Sequence, residues 1–238
     1  MKIKQFTVVL IALMVLATSA IQSTAATIDV EGAAYAGLSS MYLWRGFDLS
    51  NGDPVVQGGM DVSVKGLTFS YWSNLDLDSG ELNETDFTID YGMALSELVA
   101  IGFGNVFYAL DGAPDTNELY LGISLNTLLA PTLTLYYDYD EAEEDGLFYT
   151  LAIGQDLKLT EGLRLSLGGL VSYNQKSDYA VGNYSDWHNY ELSLAADYAP
   201  TEQLSISPFV IFSDAISDEA EALIKDELVG GLNLTLTF

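Results

Sequence analysis

The chain has one histidine and no cysteine, so nucleophilic or metal chemistry has to be sought around His188 and among the carboxylates. His188 ends the stretch Ser185-Asp186-Trp187-His188, and Ser185 and Ser193 are the serines placed to serve it in a barrel hydrolase. Such a site needs nucleophile, base and orienting group in mutual reach, and no spacing here marks one. A rim histidine hydrogen-bonded within an aromatic belt accounts for the same residues, so no catalytic residue is assigned. The missing cysteines remove disulfides and thiolate sites, and no glycine-rich phosphate cradle is present.

Carboxylates are the richest resource. Asp138, Asp140, Glu141, Glu143, Glu144 and Asp145 cluster together, and Asn74, Asp76, Asp78 and Gly80 resemble the opening of a calcium loop. The glycine comes one position late and Thr85 stands where the closing glutamate belongs. Asp76, Asp78, Asp138 and Asp140 are therefore weak metal candidates, suited to loosely bound Ca²⁺ or Mg²⁺ that could bridge to lipopolysaccharide phosphates. A solvated acidic face explains them equally well.

The elements that position these groups follow from patterning. Lys2 and Lys4, an apolar run over 6–17 and the small residues Ser23-Thr24-Ala25-Ala26 form the order of a secretory signal peptide, cleaved near Ala25 or Ala26. That order implies export through the Sec pathway and one mature domain over 27–238. The formal charge of −26 rests on 34 acidic against 8 basic residues, which disfavours nucleic acid and anionic lipid. Hydrophobic residues make up 49% of the chain, yet no long apolar run follows residue 26. They alternate instead. Leu228, Gly230, Leu232, Leu234, Leu236 and Phe238 share one parity, as do Leu119, Leu121, Ile123 and Leu125.

About twelve such segments of roughly ten residues are legible, the length of a tilted membrane-crossing strand. They are expected near 34–46, 55–64, 66–76, 86–95, 99–109, 117–127, 132–140, 147–157, 163–174, 188–198, 204–213 and 228–238. Near 99–109 both parities are apolar and the register is open. Short connections alternate with longer acidic ones, whose loops and rims hold 24 of the 34 acidic residues. The prediction is an all-β, transmembrane, antiparallel up-and-down β-barrel of 12 strands, with short periplasmic turns and long acidic extracellular loops. A periplasmic β-sandwich or lipocalin-like barrel would also alternate. Against it stand an inner parity rich in Gly, Ser, Thr and Asn and aromatic residues near strand ends (Tyr42, Trp44, Tyr71, Tyr137, Tyr139, Tyr173, Tyr198). The terminal Phe238 also has the outward parity that barrel-assembly machinery reads in a last strand.

With the apolar parity in lipid, Asp61, Asp90, Asp138, Asp156, Glu191 and Asp197 point inward, with Arg164 as an interior cation. Arg45 joins them at the mouth, while Tyr42 and Trp44 are expected outward as girdle residues. Inward Trp72, Tyr120, Tyr136 and Phe148 would narrow the bore.

Tyr42-Leu43-Trp44-Arg45-Gly46, then Gly52-Asp53-Pro54 and Gln57-Gly58-Gly59-Met60-Asp61, resemble the N-terminal signature of the TorF-type porins, the Gcw_chp family of Gram-negative outer-membrane proteins. The resemblance covers about 20 residues and implies a porin role; it carries no active-site residues. The expected function is a narrow, cation-preferring channel for small hydrophilic solutes. A closed barrel that serves structure or binds ions, lipopolysaccharide or a protein is the alternative, and a barrel hydrolase stands third.

Overall fold

Strands with one apolar and one polar face need two different surroundings, and this chain supplies them by closing a sheet on itself. A computed structural model describes residues 29–142 and 146–238. The candidate signal peptide and Glu143, Glu144 and Asp145 lie outside the described residues. In chain order the strands are β1 (Glu31–Ser39), β2 (Leu43–Trp44), β3 (Phe47–Asp48), β4 (Val55–Val64), β5 (Leu67–Asp76), β6 (Leu82–Ala94) and β7 (Val99–Leu110). They continue with β8 (Thr116–Leu125), β9 (Thr132–Asp138), β10 (Leu147–Thr160), β11 (Leu163–Gln175), β12 (Ser185–Tyr198), β13 (Leu204–Ala215) and β14 (Glu227–Thr237). A single helical turn, α1 (Asp218–Glu221), sits between the last two.

All but β2 and β3 form a closed antiparallel barrel of twelve strands, each paired with its sequence neighbours, and β1 closes the ring against β14. Closure leaves no free sheet edge, as a lipid-embedded sheet requires. The outer wall is apolar: in β8, Leu119, Leu121, Ile123 and Leu125 are exposed while Thr116 and Glu118 are buried. The open register of β7 resolves the same way. Phe103 and Phe107 are exposed, and a side chain on Gly104 would meet inward Tyr120.

Short turns close one end. Lys65 and Gly66, at φ 51° and 85°, make the two-residue left-handed turn that suits twisted hairpins. The long loops gather at the other end, and so does the core. Every buried non-glycine residue among the described residues lies in the long-loop half, so the two halves of the bore differ in kind.

Two expectations need correction. The first strand does not run over 34–46; it stops at Ser39, and the chain turns inward. Tyr42 is 5% exposed and Trp44 partly buried, so neither is a girdle residue. Both pack against rings inside the barrel, Tyr42 on Trp72 and Trp44 on Tyr108. Apolar alternation reads the same against lipid and against a packed interior, and parity cannot be carried across a turn. His188 is likewise not in an outer belt. A bulge places both His188 and Asn189 opposite Ser172, because Val171 pairs with Tyr190 and Tyr173 with Trp187. Trp187 and Tyr190 keep the outer face, and His188 and Asn189 are fully buried inside.

Candidate functional site

Residues 40–54, between β1 and β4, form a strap across the bore. Its hairpin is self-built. Leu43 pairs with Asp48 and Trp44 with Phe47, leaving Arg45 and Gly46 as the two turn residues at φ 50° and 83°. Asp48 Oδ1 accepts from the Ser50 amide at 3.0 Å, and Ser50 Oγ accepts from the Tyr42 amide at 2.9 Å. The strap springs from β1 and β4, yet its tip meets β7 to β10 and β12, on the opposite wall. It therefore spans the barrel.

Arg45 is the anchor. Its Nη1 and Nη2 donate to Glu118 Oε1 at 2.9 Å and Oε2 at 2.7 Å, a two-pronged charge-assisted bond. Tyr108 adds a third donor to Glu118 at 2.9 Å. The guanidinium lies 4.4 Å from the ring centres of Trp44 and Phe148 and 5.1 Å from that of Tyr136, so its faces are covered by aromatic quadrupoles. The Arg45 carbonyl accepts from His188 Nε2 at 2.7 Å. With Nε2 donating, the neutral ring accepts at Nδ1 from the Tyr184 hydroxyl. Phe47 stacks on the same imidazole at 5.6 Å, and Tyr42 bonds Glu84 on β6. Gly46 lies against Ile224 of the β13–β14 loop: an added Cβ would sit 2.7 Å from its Cδ1.

Below the strap the wall is polar and partly exposed. Asp90 accepts from Tyr120 at 2.6 Å. Asp197 accepts from Ser166 and Ser207, both at 2.7 Å, and Arg164 lies 3.4 Å from both Asp156 and Asp197. Glu191 accepts from Asn189 at 3.1 Å and borders, with Arg45, a cavity of about 240 Å³ under the strap. Asp61 lines a cavity at the short-turn end with Glu31 and Ser63. Asp138 shares the inward parity but is 2% exposed. It accepts from Thr116 Oγ1 at 3.0 Å and from the amides of Asp140 and Glu141 at 3.0 and 3.1 Å, as a turn cap.

The metal candidates fall in two separate loops. Asp76 accepts from the amides of Asp78 and Ser79 at 2.9 and 2.8 Å, and Asp140 accepts from Asn117 at 2.6 Å. Among the described residues no three His, Asp or Glu side chains converge to hold a metal ion. Sequence reasoning missed Glu118, Tyr108, Glu84 and Asp86 as interior residues. The parity of Leu119 and Leu121 was the signal for Glu118, obscured because Glu118 also ends an acidic loop.

No family model and no curated sequence matches the chain. Among solved structures the NanC porin superposes with a TM-score of 0.56 at 12% identity, over 86% of this chain and 98% of that one. The fold is that of the outer-membrane porins. The KdgM porin gives 0.53 at 11% identity, over 87% of this chain and 99% of its own. An outer membrane channel from Pseudomonas putida F1 gives 0.52 at 12%, over 92% and 98%.

Proposed function

We propose that the protein is a narrow outer-membrane channel for small hydrophilic solutes, cation-preferring, and held closed near its mouth by the strap. The division of the bore carries this reading. Small barrels are filled by side chains, whereas in these twelve strands packing is confined to the long-loop half and the other half keeps charged walls. Among the described residues Asp61, Asp90, Asp156 and Asp197 line that half against Arg164 and, at its turn end, Lys158, which Glu161 already pairs, and inward carboxylates favour cations. Both ring nitrogens of His188 are engaged by the strap and Tyr184, which gives the histidine an anchoring role, and neither Ser185 nor Ser193 is among its partners. Sec export, a Gram-negative outer membrane, assembly through the strand ending at Phe238 and contact of the acidic loops with lipopolysaccharide, through loosely held Ca²⁺ or Mg²⁺, belong to the same proposal. So does the likeness of residues 42–61 to the TorF-type porins.

Planar-bilayer recording tests it. Wild-type protein should show small or rare openings, and Arg45→Ala should raise conductance several-fold with K⁺ favoured over Cl⁻. Anion preference would remove the selectivity claim. Silence of both proteins, each folded by circular dichroism, would favour the second reading, a closed surface-binding barrel, which the packed long-loop half supports.

A further inference from the structure

Beside the strap, on its long-loop side, lies a chamber of about 340 Å³. Trp44, Phe47 and Leu49 of the strap form one wall, Tyr108 and Leu110 of β7 the other, and Glu84 and Glu118 add two carboxylates to the lining. Tyr179 of the β11–β12 loop roofs it, and its hydroxyl donates to the Pro114 carbonyl across the mouth. The volume lies in the range of small-molecule sites.

The charges around it do not balance. Glu118 is satisfied by Arg45 and Tyr108. Glu84 is 8% exposed and, among the described residues, accepts from the Tyr42 hydroxyl alone. Asp86, two residues along the same face and electrostatically coupled to both glutamates, has a fully buried Oδ1 with no partner. No ion pair reaches Glu84 or Asp86 among the described residues. Two lining carboxylates, with Asp86 behind them on the face of Glu84, thus share a region whose one guanidinium is taken by Glu118, and an uncompensated buried charge there is costly.

We propose that this chamber binds a small organic cation, an ammonium group carried on an aromatic or aliphatic body. A bare metal ion fits poorly, because the carboxylates do not converge on one point and the apolar walls cannot replace a hydration shell. An ammonium ion offers up to three donors to the carboxylates, its charge suits the ring faces, and its apolar body matches the walls. The Tyr179 phenol senses the same field. It is pushed above its ordinary value first by burial and then by Glu141, Asp138, Asp115 and Glu84. The proposal does not rest on conduction, since a barrel that never opens would present the same chamber.

Calorimetric titration of the purified full-length barrel with phenethylammonium chloride tests it, alongside 2-phenylethanol and phenylacetate. Saturable binding of the ammonium is expected, at least tenfold tighter than the alcohol, with none for the carboxylate. Glu84→Gln should weaken it tenfold or more. Ala113→Trp, on an exposed loop lining the chamber, should abolish it without touching a carboxylate, and serves if the Glu84 variant fails to fold. Absent ammonium binding, equal affinity for the alcohol, or undiminished binding in Ala113→Trp overturns the proposal. A barrel silent in bilayers can be titrated in the same way, so the two proposals fail separately.

Discussion

Arg45 and Glu118 owe their weight to burial, their side chains being 8% and 1% exposed. A desolvated charge that loses its partner costs about 3–5 kcal/mol, whereas a solvated pair is worth about 0–1 kcal/mol. Arg45→Ala should therefore lower unfolding stability by about 3–5 kcal/mol, read from urea unfolding in lipid vesicles. Arg164 is 53% exposed beside Asp156, and Arg164→Ala should shift the same curve by less than about 1 kcal/mol. Replacing Arg45 and Glu118 together by Met and Leu should cost less than the two single losses combined, because no orphan charge remains. His188 is a smaller case. His188→Ala removes bonds to the Arg45 carbonyl and Tyr184, for a loss of about 1–3 kcal/mol by the same unfolding measurement.

At the level of elements, the strands were legible because each meets two solvents, and a period of two records that directly. Eleven of the twelve barrel strands fall close to where alternation places them; β1 is the exception. The strap was not legible. Tyr42, Trp44 and Phe47 are as apolar as lipid-facing residues, and only the glycine after Arg45 marked a hairpin turn. The bulge in β12 escaped for a related reason: an extra residue resets parity without changing composition, so His188 seemed to belong with Tyr190. Glu118 could not be matched to Arg45 without the cross-barrel geometry. Close packing inside the sheet gives its own test on β7. A side chain at Gly104 would lie 2.7 Å from the Ile89 carbonyl and from Tyr120, while one at Gly102 finds nothing nearer than 3.9 Å. Gly104→Ala should destabilise by about 1–3 kcal/mol and break the Tyr120–Asp90 bond, and Gly102→Ala should be near neutral by comparison. Paired thermal melts would separate them.

For the whole molecule, the proposed cation preference rests on charge, which salt screens. The preference for K⁺ over Cl⁻ in the Arg45→Ala channel should be strong in dilute salt and should fade towards 1 M KCl, where screening shortens to about 3 Å. Asp90→Asn should reduce it further at every salt level, and reversal potentials across a KCl gradient read both effects. The span of the strap has a consequence for assembly. Arg45 meets Glu118 at a separation of 73 residues and His188 at 143, so its contacts sample the pairings of most of the barrel's circumference. A slip of one residue in the intervening strands would turn Glu118 towards lipid and leave Arg45 nothing to grip. Seating of the strap therefore requires the right shear, and a barrel closed out of register is expected to leave it unseated. Misregistered products should expose residues 40–54 to added protease, and limited proteolysis of refolded barrels would read that difference.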